Sequence, residues 1–134
     1  MNPLKLMTCL LVLGASLSAH AHEAGHENVQ VLQEKPLVNA PGKVATMLTV
    51  DYAPGQASAA HRHPGSVMAY VLQGTVVSQL KGEAAVTYKT GQYWYEPAGA
   101  VHVVSRNASK TKPAKLLVWV LKDEGQAVLE PMKE

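Results

Sequence analysis

Thiol groups are nearly absent from this chain, whose 134 residues include a single cysteine, Cys9. Cys9 lies in an apolar segment near the start of the sequence that we expect the mature protein to lose. The mature chain then forms no disulfide and has no thiolate ligand or cysteine nucleophile. It also lacks the Gly-x-Ser-x-Gly pattern that positions the nucleophile of many hydrolases. Any metal chemistry of this protein must therefore use nitrogen and oxygen donors.

Clustered charge is lacking as well. The chain has 12 Lys and Arg residues against 10 Asp and Glu residues, for a formal net charge of +2, which falls by one if Lys5 is removed with the apolar segment. The single basic patch, Lys110, Lys112 and Lys115, is interrupted by Pro113 and is typical of a solvated loop. A near-neutral chain without a basic cluster argues against nucleic acid as a partner.

Residues 1–21 have the pattern of a secretory signal peptide. Lys5 gives a positive start, an apolar run follows over residues 6–17, and Ala19-His20-Ala21 offers a small-x-small cleavage site. The apolar run is shorter than the roughly 20 residues that a membrane-spanning helix needs, so we expect no membrane anchor in the mature form. Cleavage after Ala21 predicts a periplasmic or secreted protein.

The rest of the chain has the size of one domain. We expect residues 22–28, which are polar and rich in His and Glu, to form a flexible arm, and residues 29–134 to form the domain. Short segments of β-forming residues alternate with turn signals, without a long amphipathic helix, which predicts an all-β sandwich or barrel. Nine strands are predicted, over residues 29–32, 44–52, 61–63, 67–73, 75–80, 84–89, 92–96, 101–105 and 116–121.

Two blocks of the sequence place three histidines at fixed distances from glycines and a proline. In the first block, Gly55 precedes His61 by six positions and Gly74 follows His63 by eleven. Side chains alternate across a strand, so His61 and His63 point to the same face and can chelate one ion.

The second block begins at Gly91. Pro97 and Gly99 follow at six and eight positions, and His102 comes three positions after Gly99. Each Gly or Pro lies where a strand must turn, so His102 is predicted to start a neighbouring strand.

These blocks resemble the two signature motifs of the cupin superfamily. The resemblance covers roughly residues 40–121 and implies a single-domain cupin jelly-roll β-barrel, also called a double-stranded β-helix. Two positions depart from the family pattern. Val67 takes the place of the glutamate in the first motif. Arg106 takes the place of the asparagine in the second, and Asn107 follows one position late.

The resemblance implies that His61, His63 and His102 bind one divalent transition metal. Three neutral imidazoles do not reduce the positive charge of the ion, and they leave coordination positions open for water, oxygen or substrate. Three-histidine centres of this kind are similar to those of thiol and diketone dioxygenases that use ferrous iron. We therefore expect iron in an oxygenase, with copper, zinc, nickel and manganese as the other candidates. The alternative is that these are surface or core histidines without a metal.

Glu96, directly before Pro97, is the candidate catalytic residue. If Glu96 faces the barrel interior, its carboxylate could be a fourth ligand or a general acid/base. Charged residues are also common at strand ends, so the alternative is a solvated glutamate at a strand edge.

A second metal site is conceivable at the mature amino terminus. Cleavage after Ala21 would give His22 a free amino group beside its imidazole, a pair able to chelate copper. The alternative is a disordered arm with chance histidines.

Several predicted strands, such as residues 67–72 and 116–121, are apolar on both faces. One face can fill the barrel and the other needs a cover, so we expect a homodimer. Half of the large residues near the motifs should point outward, and the others would line a cavity for a small, largely apolar ligand. These residues are Met47, Tyr52, Met68, Tyr70, Tyr93, Trp94 and Tyr95.

The sequence thus predicts an exported metal-binding cupin with a small-molecule ligand or substrate. One hypothesis is a dioxygenase-like enzyme that acts on a small organic substrate. The alternative is a non-enzymatic cupin that binds or senses a small ligand or a metal, because one fold hosts many functions.

Overall fold

The computed structural model describes residues 27–132. The expected signal peptide and most of the expected arm, including His22, lie outside the described residues. Within this part of the chain there are ten β-strands and no helix, and so none that could span a membrane. The strands are β1 Asn28–Pro36, β2 Lys43–Tyr52, β3 His61–Arg62, β4 Ser66–Gln73, β5 Thr75–Leu80, β6 Val86–Lys89, β7 Tyr93–Glu96, β8 Val101–Asn107, β9 Ala114–Asp123 and β10 Glu130–Pro131.

The strands form two five-stranded antiparallel sheets. Sheet A has the order β1-β2-β9-β4-β7, and sheet B has the order β10-β3-β8-β5-β6. Strands distant in sequence are neighbours in both sheets, as when β9 lies between β2 and β4. This is the single-domain, all-β jelly-roll architecture that the motifs predict.

The alternating burial of side chains along β9 shows which face of sheet A lines the barrel interior. Leu116, Val118 and Val120 point inward and are at most 6% exposed, while the residues between them are only partly buried. Val67 and Val71, on the neighbouring strand β4, are almost fully buried opposite Val120 and Leu116. Each such side chain contributes about 1.5–3 kcal/mol when it is fully buried. The inward faces of β4 and β9 therefore form one side of the hydrophobic core.

Gly65 allows the chain after His63 to run against β9. A Cβ atom at this position would lie 2.2 Å from the carbonyl oxygen of Leu121. Only glycine leaves room for this approach of two backbones. The segment that carries His63 is thus fixed relative to sheet A.

Each of the nine predicted strands overlaps one of β1 to β9; β5 has the predicted ends, and the others differ at one or both ends. β1 is longer than predicted because all nine of its residues are exposed, which leaves no alternating pattern to mark its end. β10 was not predicted, since it has two residues, including Pro131, and is defined only by its pairing with β3.

The large residues near the motifs divide between the two faces of sheet A. Tyr52 and Trp94 point inward, 3% and 9% exposed, whereas the other five are outside. On β7, Trp94 is buried between Tyr93 and Tyr95, which are 73% and 52% exposed. Together with two partly buried residues of β9, the five exposed residues form a surface that we call the outer apolar face, which consists of Met47, Met68, Tyr70, Tyr93, Tyr95, Leu117 and Trp119.

Candidate metal centre

The three predicted histidines lie together in the barrel interior. His61 is on β3, opposite His102 on β8, and His63 directly follows β3. All three are buried, with exposures of 8%, 8% and 3% for His61, His63 and His102. One ring nitrogen from each lies within 4.8 Å of those of the other two. This spacing suits three ligands of one ion.

Hydrogen bonds to the backbone orient two of the rings. The Nδ1 atom of His61 donates to the carbonyl of Ala59 at 2.8 Å, and that of His63 donates to the carbonyl of Val128 at 2.7 Å. A carbonyl only accepts, so the protons are on Nδ1 and the lone pairs are on Nε2. The two Nε2 atoms are 3.1 Å apart. Two lone pairs facing each other at this distance have no hydrogen between them, which is the arrangement expected around a shared cation.

The third ring is held by Ser78 on β5. The Oγ atom of Ser78 lies 2.8 Å from Nε2 of His102. The Nδ1 atom of His102 lies 3.3 Å from Oε1 of Glu96. His102 therefore lies next to the Glu96 carboxylate as well as to the other two histidines.

Burial keeps the imidazoles neutral. Loss of solvation lowers the pKa of His61, His63 and His102, and that of His102 falls to about 3. Repulsion from the neighbouring histidines adds to the shift of His102. The neutral imidazole is the form that binds metals. The site is thus ready for a cation near neutral pH without first losing protons.

Glu96 is buried beside the histidines, and the alternative of a solvated glutamate at a strand edge is wrong. Its side chain is 2% exposed, and Trp94 Nε1 donates to its Oε1 at 2.9 Å. Its Oε2 lies 3.8 Å from Nε2 of His63 and has no hydrogen-bond partner within residues 27–132. Burial raises the pKa of Glu96, and the Trp94 hydrogen bond partly offsets this. An unpartnered carboxylate oxygen next to the histidine cluster fits a bound cation.

Strand pairing explains how this carboxylate replaces the missing one. Val67 on β4 is the direct antiparallel partner of Glu96 on β7. Both point inward, at 1% and 2% exposure. Glu96 therefore brings a carboxylate on the adjacent strand close to the position where the cupin motif has one on β4.

The late asparagine of the second block also has a structural explanation. A bulge in β8 pairs Gln79 with Val104 but Leu80 with His102, which adds one residue before Asn107. Asn107 is 2% exposed and donates to the carbonyls of Ala53 and Lys112, whereas Arg106 is exposed. Asn107 thus holds the loop after β2 and the loop before β9 together through these hydrogen bonds.

Comparison with known proteins identifies the family. The family model for a cupin domain matches residues 48–120, more than half of the chain and including all four site residues. The chain is a cupin. No curated protein sequence matches it.

Solved structures agree with this fold. The cupin is similar to an uncharacterized conserved protein with a double-stranded β-helix domain from Klebsiella pneumoniae, with 19% identity, a TM-score of 0.64 and coverage of 84% of this chain and 89% of the other. A protein from Thermus thermophilus is 30% identical, with a TM-score of 0.56 and coverage of 71% and 82%. DMSP lyase DddQ from Ruegeria pomeroyi is 17% identical, with a TM-score of 0.64, and the match covers 92% of this chain but 59% of the lyase.

The interior of the cupin contains a cavity of about 50 Å³ next to the histidines. Its wall is aliphatic on the side of sheet A, where Leu48, Ala69 and Val118 line it. A second polar group on this wall is the hydroxyl of Tyr52, which is 2.6 Å from Ser58 Oγ and 2.8 Å from Ser105 Oγ. Burial raises the pKa of Tyr52, so its hydroxyl stays protonated. The sequence pattern did not single out these two serines.

Proposed function

We propose that this cupin binds one divalent transition metal ion through His61, His63 and His102, and that the loaded site acts on a small organic molecule. The observation that carries the proposal is the convergence of three buried ring nitrogens and the unpartnered Oε2 of Glu96. Neutral imidazoles together with one carboxylate suit first-row transition metals.

Glu96 and the cavity wall supply the rest of the chemistry. The ion, when bound, provides Lewis-acid and redox chemistry. Glu96 is placed to accept or donate a proton at Oε2, since its raised pKa brings it closer to neutral pH. Leu48, Ala69 and Val118 limit water around the reacting groups. These features support a dioxygenase-like reaction on a substrate of a few non-hydrogen atoms.

A non-enzymatic role is the second candidate. The cavity is small, and the three histidines, with Glu96 beside two of them, can hold an ion and leave little room for a substrate. Such a site would capture or sense a metal or a small ligand without turnover. Consumption of oxygen in the presence of small organic substrates distinguishes the enzyme from the binding protein.

Elemental analysis of the mature protein tests the metal proposal. We expect about one equivalent of a transition metal in wild-type protein purified without an affinity tag, and almost none in the His61→Ala/His63→Ala variant, because two of the three nitrogen donors are lost. The matched control is His22→Ala/His26→Ala, which removes two histidines from the arm and should retain the metal. Metal-free wild type, or equal loss in the control, would contradict the proposal.

We also propose that the protein is exported and that cleavage after Ala21 gives the mature form. The support is the pattern of residues 1–21, with its positive start, short apolar run and small-x-small site. The same preparation tests this, since periplasmic protein with an intact mass beginning at His22 agrees with it. A mass that still includes Met1 would refute it.

We propose that the protein is a homodimer in which the outer apolar face packs against the same face of a second copy of the chain. The outer apolar face spans the four strands β2, β9, β4 and β7. Four strands of about 8 residues cover roughly 19 Å by 27 Å, or about 500 Å² on each copy, which is at the low end of the size range of specific interfaces. The groove on this face has a volume of about 510 Å³, and within the described part of the chain no charged residue lines it. An uncharged face of this size fits an identical face related by twofold symmetry.

Charge placed on this face should separate the dimer. We expect Tyr93→Glu/Met68→Glu to be monomeric and wild type to have twice that mass in light scattering, because each buried carboxylate would lose its solvation. Both residues are more than half exposed in one copy, so the fold should tolerate the changes. Val86→Glu, at a half-exposed apolar position on β6 of sheet B, is the control and should stay dimeric. A wild-type mass equal to one chain at all concentrations would refute the proposal.

A further inference from the structure

Three hydroxyl groups form a second polar cluster in the cavity of the metal centre. Tyr52 ends β2, Ser105 is on β8 and Ser58 precedes β3, so three separate segments bring the hydroxyls together. Tyr52 and Ser105 are 3% and 5% exposed, and all three residues line the cavity that His61 and His63 also line. We call these three residues the hydroxyl cluster.

The hydroxyl cluster has hydrogen-bonding capacity left over. It contains three hydroxyl hydrogens, one per residue, and each hydroxyl also has two lone pairs. The bonds from Tyr52 to Ser58 and to Ser105 use two of these hydrogens. Within residues 27–132 the third hydrogen has no further side-chain acceptor. Tyr52 and Ser105 are buried and Ser58 is partly buried, so a hydroxyl hydrogen on this cavity wall without a further side-chain acceptor can be donated to an oxygen or nitrogen of a ligand.

The charges around the cavity restrict what that ligand can be. Among residues 27–132 no lysine or arginine lines the cavity, whereas Glu27 and Glu96 do. A negatively charged group at the hydroxyl cluster would lose its solvation without gaining a cation, which is costly. A neutral oxygen accepts the free hydrogen without that cost.

We propose that the hydroxyl cluster binds a neutral oxygen at one end of a small substrate, such as a hydroxyl, ether or carbonyl oxygen, while the other end lies at the metal centre. The inference rests on the proposed metal function and names its substrate class. The cavity of about 50 Å³ limits the substrate to a few non-hydrogen atoms between the two ends. We expect molecules with a negative charge at both ends to bind weakly. The metal end can neutralise one of the charges, but the hydroxyl cluster offers no cation for the other.

Binding of two matched thiols to the Co²⁺-loaded protein tests the inference. Mercaptoethanol and propanethiol have the same number of non-hydrogen atoms and differ in a terminal hydroxyl against a methyl group. Thiolate bound to Co²⁺ gives an absorption band, so titration gives an affinity for each without any turnover. Tyr52→Phe should weaken mercaptoethanol binding by about fivefold, the effect of one neutral hydrogen bond, and leave propanethiol binding unchanged. Ser105→Ala should show the same selective loss.

Tyr88→Phe is the matched control. Tyr88 packs against Trp94 with ring centroids 4.7 Å apart and does not line the cavity, so its hydroxyl should not affect either thiol. Equal weakening of both thiols by Tyr52→Phe, or no change in either, would overturn the inference and leave the metal proposal intact. Absence of Co²⁺ binding by wild type would overturn both. If Tyr52→Phe does not fold, Ser58→Ala and Ser105→Ala decide the outcome.

Discussion

Removal of bound metal by a chelator should lower the melting temperature of the wild-type protein by about ten degrees or more. An ion that binds only the folded state stabilises it by about 4 kcal/mol when its free concentration is a thousand times the dissociation constant. In a domain of this size each kcal/mol corresponds to roughly 4–8 °C. Differential scanning calorimetry with and without chelator measures the shift.

The His61→Ala/His63→Ala variant should not respond to the chelator, since it has no site to empty. The His22→Ala/His26→Ala variant should respond like wild type, because its barrel site is complete. A wild-type melting temperature that is independent of chelator would mean that the histidine cluster is a structural feature of the core. A chelator response lost in the arm variant instead would place the metal at the amino terminus.

The barrel and the histidine cluster were predictable because both depend on local sequence signals. Glycine and proline mark the turns, and the two-residue spacing of His61 and His63 sets their common face. The family pattern then added His102, which the structure pairs directly with His61. These three residues needed no knowledge of which strands are neighbours in sheet A.

The position of Glu96 was not predictable in the same way. The segment Tyr93-Trp94-Tyr95-Glu96 is apolar on both faces up to the glutamate, so alternation alone does not indicate which face is inside. The pairing of β4 with β7, which sets Glu96 opposite Val67, is a long-range property of the fold. One signal was available: a tryptophan two residues before a glutamate shares its face, and Trp94 Nε1 needs an acceptor when buried.

Moving the carboxylate from β7 to β4 should restore much of the metal affinity that is lost when the carboxylate is removed. We expect Glu96→Val to weaken metal binding by about tenfold or more, since the ion loses its only negatively charged neighbour among the four site residues. Val67→Glu/Glu96→Val returns a carboxylate to the position that the cupin motif gives it. Directly paired residues have Cβ atoms about 4.5–5.5 Å apart, so the new carboxylate starts close to the old one. Competition with a chromophoric chelator gives the affinities.

Two further variants separate charge from shape. Glu96→Gln keeps the size and a hydrogen-bond acceptor for Trp94, so its affinity should fall with little loss of stability. Val67→Glu alone places two buried carboxylates side by side, and it should be less stable than the double variant when metal is removed. Unchanged affinity in both Glu96→Val and Glu96→Gln would exclude the carboxylate from the metal centre and leave three histidines as the ligands. Recovery in the double variant would show that the charge in the cavity matters, whichever of the two strands carries it.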